Sequence, residues 1–172
     1  MRKVSYFVAA SLDGYIARLD GGIDWLFSDG DYGYDAFYSS VDAVVMGRKT
    51  FEVSLSFGNY PYKGKRAVVF SKKGFKTELS DVEVTAEDPS GVVRRLKGEP
   101  GSTIWFIGGA VLAKPLFAAD LIDEVVASIH PVTLGEGIPL FPPGIPGRPW
   151  KLIDSEEFPT GLLQLTYRRG RQ

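Results

Sequence analysis

Two glycine-containing segments carry the residue types best suited to holding an anion. In residues 44–50, Gly47 ends an apolar run and is followed by Arg48, Lys49 and Thr50. In residues 104–110, Gly108 and Gly109 follow a second apolar run. Glycine at the carboxyl end of a buried strand lets backbone N–H groups and a helix N-terminus approach a phosphate closely. Together the two segments predict a dinucleotide pyrophosphate held between two helix N-termini.

A basic segment indicates which dinucleotide is bound. Residues 63–76 contain six Lys and Arg residues and no acidic residue, and Ser71 and Lys72 directly follow a short apolar run. In isolation such a segment is typical of a solvated charged turn. Beside two phosphate-type junctions it predicts a pocket for a 2′-phosphate, which favours NADPH over NADH.

Other kinds of chemistry are excluded by residue counts and motifs. The chain has no Cys and a single His, His130, so thiolate catalysis, zinc fingers and two-His metal sites are excluded. Neither G-x-G-x-x-G nor a Walker sequence is present. With so little reactive side-chain chemistry, any catalysis is expected to depend on a cofactor. We interpret His130, which precedes a proline, as a satisfied histidine at a strand end.

Overall charge and hydrophobicity set the expected environment. The formal net charge of −1 argues against nucleic-acid and membrane-surface partners. No run of 18 apolar residues occurs, and a strand pattern follows residues 1–3 directly. We therefore expect a cytoplasmic protein.

Alternating strand and helix patterns must position these residues. The 172 residues predict one domain, residues 1–172, without linkers or repeats. Residues 13–35 hold six Asp and are expected to be largely loop. Residues 150–158 and 162–169 predict a hairpin, and the remaining strands are expected at 4–10, 43–47, 67–70, 82–84, 103–107 and 121–129. Helices are expected at 50–55, 90–97 and 110–118. The fold class is α/β, with a mostly parallel sheet covered on both faces and an antiparallel C-terminal addition.

Four segments, taken in order and spacing, resemble a known family. They are residues 9–17, Asp24-Trp25, residues 46–50 and residues 107–110. They are similar to the dihydrofolate reductase superfamily over nearly the whole chain. The turn at 11–14 and residues 131–141 resemble the branch of the C-terminal reductase domain of the riboflavin-biosynthesis deaminase–reductase. The resemblance implies an NADPH-binding fold that is often homodimeric.

The resemblance also implies roles for individual residues. Ala10 and Ile16 would border the nicotinamide, and Ser71 and Lys72 would lie by the adenosine 2′-phosphate. Ile107 would also belong to the cofactor site. The pyrophosphate would be held by both junctions, that is by Gly47, Arg48, Lys49, Thr50, Gly108, Gly109, Ala110 and Val111.

On the substrate side, dihydrofolate reductases place a carboxylate a few residues after a Trp, to bind the pterin and assist protonation. After Trp25 both Asp29 and Asp31 are candidates for this catalytic role. Asp13 could form a turn or bind substrate, and Trp25 could be a core aromatic or a wall of the pocket. The riboflavin-pathway reductase has Asp-Asn-Pro after the Thr that corresponds to Thr50, whereas this chain has Phe51-Glu52-Val53.

The residues and the resemblance together predict a reductase that transfers hydride from NADPH to a small N-heterocycle. Pterins, flavins and ribosylaminopyrimidines all remain candidates, the last as in 5-amino-6-(5-phosphoribosylamino)uracil reductase. The alternative hypothesis is a non-catalytic NADPH-binding protein or a dimeric regulatory protein.

Overall fold

An eight-stranded sheet forms the centre of the computed structural model, which describes residues 1–170. The strands are β1 (Lys3–Ser11), β2 (Tyr15–Ala17), β3 (Val41–Gly47), β4 (Arg66–Phe70), β5 (Val82–Thr85), β6 (Thr103–Gly108), β7 (Glu124–His130), β8 (Ile138–Pro139), β9 (Trp150–Glu157) and β10 (Leu163–Arg169). The helices are α1 (Tyr34–Ser40), α2 (Arg48–Leu55), α3 (Pro89–Gly98) and α4 (Ala110–Ala118). The sheet has the order β5-β4-β3-β6-β1-β7-β10-β9, and β2 pairs with β8 in a small second sheet.

Strand directions confirm the expected fold class. The six strands from β5 to β7 are parallel, and β10 and β9 are antiparallel to their neighbours. The parallel strands are continuous apolar runs because both of their faces are buried, as in residues 43–46. Strand β10 alternates in sequence, and the C-terminal hairpin is much more exposed than the parallel strands.

Side chains of the central strand β1 alternate between two cores. Tyr6 and Ala10 pack on one face, in a cluster that includes Leu96 of α3 and Leu116 of α4. Phe7 points to the other face, where its ring stacks on Phe37 of α1 at a centroid distance of 4.4 Å. The sheet is therefore covered on both faces, as its sequence predicts.

Helix α1 is the main element that the sequence pattern does not predict. It has seven residues, none of them buried, and Gly33 before it provides no side-chain cap. A helix this short is stabilised by packing against its neighbours rather than by its own periodicity. The contrast is α3, where the Asp88 side chain accepts a hydrogen bond from the Gly91 N–H at 2.8 Å and Pro89 follows the cap. Within residues 1–170, no helix is long and apolar enough to cross a membrane.

Candidate cofactor and substrate site

The two glycine junctions meet at one edge of the sheet. Strands β3 and β6 are parallel neighbours, and each ends in a glycine that leads into a helix. A Cβ atom built on Gly109 would lie 3.6 Å from the Thr50 hydroxyl oxygen and 3.9 Å from the Gly47 nitrogen. The structure thus brings together the two segments that the sequence predicts to hold one pyrophosphate.

Open space lies in front of both junctions. A Cβ atom on Gly47 or Gly108 would have no heavy atom of another residue within 4 Å, and Val111 is 87% exposed. Neither α2 nor α4 receives a side-chain hydrogen bond at its N-terminus. The first N–H groups of a helix lack partners within the helix and favour an anion. This arrangement fits a pyrophosphate, which would lie between the two helix N-termini.

Backbone conformation explains the glycine pair. Gly108 has φ +141° and Gly109 has φ +107°, values that L side chains rarely adopt. Gly47 instead has φ −79° and ψ 162°, an extended conformation open to any residue. Gly108 and Gly109 are therefore required by the turn itself, whereas the backbone at Gly47 would accept other residues.

Arg48 lies beside the loop that follows β4. Its guanidinium carbon is 5.3 Å from the centroid of the Phe75 ring, and its Nε donates to Glu52 at 2.7 Å. Ser71 begins this loop and is buried, whereas Lys72 and Lys49 are exposed. These exposed basic side chains can turn toward a phosphate near the start of α2.

The basic segment 63–76 does not form one pocket, which corrects part of the prediction. The Lys65 ammonium donates to the Val41 carbonyl at 2.6 Å, and Arg66 pairs with Glu83 and Glu99. Both residues lie at the amino end of β4, while Ser71 follows its carboxyl end. A strand of this length separates its ends by roughly 3.3 Å per residue, so the two groups cannot share one phosphate.

Replacing Arg48 with alanine is expected to weaken NADPH binding by roughly 1.5–3 kcal/mol, the range for a hydrogen bond to a charged group. NADH, which lacks the 2′-phosphate, should lose less affinity than NADPH does. Isothermal titration with both nucleotides measures the difference. Arg66→Ala is the matched control, because Arg66 is also exposed and paired with glutamates but lies at the other end of β4. An equal loss for NADPH and NADH would remove the case for a 2′-phosphate contact.

Ala10 and Ile16 are both turned toward the protein interior. The Ala10 side chain is fully buried in the core, and Ile16 packs against the same cluster. Any contact of Ala10 with a nicotinamide ring would therefore be made by its main chain. Ile107 is partly buried at the end of β6, next to Gly108.

The Asp13 carboxylate joins two loops. It accepts hydrogen bonds from the Ser11 hydroxyl at 2.6 Å and from the N–H groups of Leu134 and Gly135 at 3.1 and 2.7 Å. These bonds, that of Ser11 first, lower the pKa of Asp13 to about 2. Asp13 therefore fastens the turn after β1 to the loop after β7, and it does not line the cavity described next.

A cavity of about 360 Å³ opens beside the carboxyl ends of β1 and β7. Its walls are mainly apolar and come from four separate parts of the chain. The apolar and aromatic residues are Phe7, Ala9, Leu26, Phe27, Tyr32, Tyr34 and Leu162, and the polar ones are Asp31, Ser128 and His130. A planar ring of modest size fits such a space.

The structure distinguishes the two candidate acids. Asp31 lines the cavity, and one of its carboxylate oxygens accepts a hydrogen bond from the Asp35 N–H at 2.8 Å. Asp29 does not line the cavity and accepts a hydrogen bond from the Tyr32 hydroxyl at 2.6 Å. Of the two, Asp31 is the carboxylate that a ligand in the cavity would meet.

Trp25 lies behind the cavity rather than on its surface. It is 9% exposed, and its ring meets that of His130 edge-on at a centroid distance of 5.2 Å. Its buried Nε1 has no hydrogen-bond partner within residues 1–170. The structure therefore places Trp25 as a core aromatic that supports His130.

The sequence alone indicates that His130 is a satisfied histidine at a strand end, and it does not predict that this residue lines the cavity. It is the last residue of β7 and is 3% exposed, yet it faces the cavity between Trp25 and Phe27. Burial lowers its pKa, so the ring is uncharged at neutral pH. Its Nδ1 lies 3.1 Å from the Ser128 carbonyl oxygen. Nδ1 therefore carries the proton, and Nε2 is a hydrogen-bond acceptor.

Comparison with known proteins agrees with this arrangement. A family model described as the RibD C-terminal domain matches residues 2–164. The chain belongs to the RibD C-terminal domain family. In this structure, the cleft between α2 and α4 and the cavity beside β1 and β7 lie along the same edge of the sheet.

Individual relatives also match most of the chain. The Bacillus subtilis protein YwjB is 42% identical over an alignment of 144 residues that covers 81% of this chain and 83% of YwjB. A solved structure from Shewanella sp. PV-4, whose name refers to riboflavin biosynthesis, is 32% identical with a TM-score of 0.86 and covers 99% of this chain and 100% of its own. Dihydrofolate reductase from Enterococcus faecalis is 20% identical with a TM-score of 0.71, covering 98% and 97%, and shows that the fold is shared. The RibD C-terminal domain of this chain thus has the dihydrofolate reductase fold.

Proposed function

We propose that this protein is an NADPH-dependent reductase that transfers hydride to a small N-heterocyclic substrate of the pterin, flavin or ribosylaminopyrimidine type. One observation carries the proposal, which is the position of β1 between β6 and β7. Strand β6 ends at the open glycine cleft, and β7 ends in His130 at the aromatic cavity. A cofactor site and a substrate site are thereby adjacent at the carboxyl edge of a parallel sheet, where ligands of such sheets bind.

The residues of the cleft fit the dinucleotide. Gly47, Gly108 and Gly109 leave room for a pyrophosphate beside the first N–H groups of α2 and α4, and Arg48, which lies over the Phe75 ring, would reach the 2′-phosphate of the adenosine. Reduced nicotinamide supplies the hydride when it is bound. The chain has to align the reacting faces and keep water away, and the apolar walls of the cavity serve both purposes.

Reduction of a C=N bond also requires a proton. The Asp31 carboxyl, or a water molecule held by it, is the group placed to deliver this proton, since Asp31 is the carboxylate that lines the cavity. His130 presents an acceptor nitrogen there and can hold a substrate N–H group.

The second candidate function is a non-catalytic NADPH-binding protein. One observation favours it: Asp31 is exposed, and one of its oxygens is already used to hold the start of α1. Such a protein would bind the nucleotide in the glycine cleft but would have no carboxylic acid shielded from solvent to deliver a proton.

The test combines nucleotide binding with turnover. NADPH should bind the protein by isothermal titration and should be consumed in the presence of at least one compound among dihydrofolate, riboflavin, FMN and ribosylaminopyrimidines. Loss of the reduced-nicotinamide absorbance reports turnover. Tight NADPH binding without consumption by any of these compounds would favour the binding protein, and no NADPH binding would overturn both candidates.

A further inference from the structure

The charge of the cavity differs from that expected for a phosphorylated substrate. Among the residues of the described chain that line it, none is Lys or Arg, and the one residue that could become cationic, His130, is buried and uncharged at neutral pH. A site built for a phosphate group normally offers arginine, lysine or a helix N-terminus. Helix α1, which borders the cavity, has only seven residues and begins beside Asp31 and Asp35.

The wall beside α1 adds negative charge. Residues 26–35 contain Asp29, Asp31 and Asp35 and no basic residue. The nearest basic residue before them, Arg18, is engaged with the Asp24 carboxylate through two hydrogen bonds of 2.7 and 3.0 Å. A dianionic phosphate entering this cavity would meet repulsion from Asp31 without any compensating cation.

Two polar groups of the cavity are hydrogen-bond acceptors that have no protein partner among the described residues, and they lie beside the Ser128 and Tyr34 hydroxyl groups, which can also donate. Within residues 1–170, one Asp31 oxygen is bonded to the Asp35 N–H and the other has no partner. The Nε2 of His130 likewise has no partner in this part of the chain. The free Asp31 oxygen and the His130 Nε2 are two acceptors in the wall of one apolar cavity. They favour a ligand that presents N–H donors, such as ring N–H or amino groups.

We infer that the substrate is an unphosphorylated planar heterocycle, uncharged or cationic, whose N–H groups face Asp31 and His130. This inference rests on the proposed function, because it concerns the substrate cavity of the proposed reductase. It removes phosphorylated ribosylaminopyrimidines and FMN from the candidate substrates and keeps unphosphorylated pterins, flavins and nucleoside-like compounds.

Matched pairs of probes test the charge preference directly. Riboflavin and FMN differ only by a phosphate, and dihydroneopterin and its monophosphate form a second such pair. Dissociation constants are measured by fluorescence at low and at physiological salt, with the protein saturated with NADP⁺. For each pair, the unphosphorylated member is expected to bind about ten- to a hundred-fold more tightly, with a smaller difference at higher salt, since screening weakens repulsion.

Two substitutions sharpen the test. Asp29→Lys places a cation beside the cavity and should narrow the riboflavin–FMN difference about tenfold. Asp154→Lys makes the same charge change on the exposed edge strand β9 and should leave the difference unchanged. Circular dichroism verifies that both variants are folded.

Failure of the inference and failure of the proposed function give different results. Equal or tighter binding of the phosphorylated members overturns the inference, and so does the binding of neither member of either pair. Consumption of NADPH with a phosphorylated compound would also overturn it while supporting the reductase function. Absence of NADPH binding would overturn the reductase function, and the flavin and pterin titrations repeated without nucleotide would still decide the charge preference.

Discussion

Replacing Gly47 with valine is expected to abolish NADPH binding and to leave the protein folded. The extended backbone at Gly47 accepts a β-branched residue, and a Cβ atom there meets no neighbouring heavy atom within 4 Å. The added side chain would instead fill the space in front of the α2 N-terminus, where the pyrophosphate would lie. Isothermal titration should detect no NADPH binding, while the thermal unfolding temperature should stay close to that of the original protein.

Gly147→Val is the matched control for this substitution. A Cβ atom on Gly147 would also meet open space, and this glycine has no positive φ, but it belongs to the loop before β9. The control should bind NADPH normally. Gly108→Val and Gly109→Val are less informative, because their positive φ would add strain of about 1–3 kcal/mol per residue and threaten the fold. Unchanged affinity in Gly47→Val would place the cofactor elsewhere.

Replacing Asp31 with asparagine is expected to lower kcat by roughly 10²- to 10⁴-fold, the usual range for loss of a general acid. The amide keeps the shape of the side chain but cannot carry the proton that a reduced C=N bond requires. The loss should be greatest at neutral pH and should diminish in acid, where the solvent can supply the proton. Steady-state kinetics on the substrate found in the turnover test measure kcat, and titration should show an unchanged affinity for NADPH.

The same change at Asp29 separates a chemical role from a general effect of charge. Asp29→Asn removes one negative charge only two residues away, but the Asp29 carboxylate is bonded to the Tyr32 hydroxyl and does not line the cavity. Its kcat should therefore fall by much less than that of Asp31→Asn. A larger loss for Asp29→Asn would reverse the assignment, and equal small losses would show that water delivers the proton without either carboxylate.

The sheet and the glycine cleft could be predicted because their determinants are local. Buried parallel strands are continuous apolar runs such as residues 43–46, and the glycines that end β3 and β6 lie directly beside the helices they precede. Strand β10 follows from the alternation of apolar and polar side chains in residues 163–168. Strand order then brings the two junctions into contact.

The cavity could not be predicted in this way. Its lining comes from residues 7–9, 26–34, 128–130 and 162, which have no common pattern in the sequence. His130 is an isolated histidine, and only its place at the carboxyl end of a parallel strand points to a ligand site. The prediction that the basic residues of segment 63–76 form one phosphate pocket was partly wrong. These charges are close in the sequence, but β4 separates them in space.

The central place of β1 has a consequence for how the chain folds. Ser5 of β1 pairs with Trp105 on one side and with Glu124 on the other, so both partners are made about a hundred residues later. Contacts this distant in sequence slow folding, because a long loop must close before they form. During synthesis, the apolar strand β1 therefore remains without its neighbours until β6 and β7 have emerged from the ribosome. The strand that separates the two sites is thus among the first parts of the sheet to be made and among the last to be enclosed.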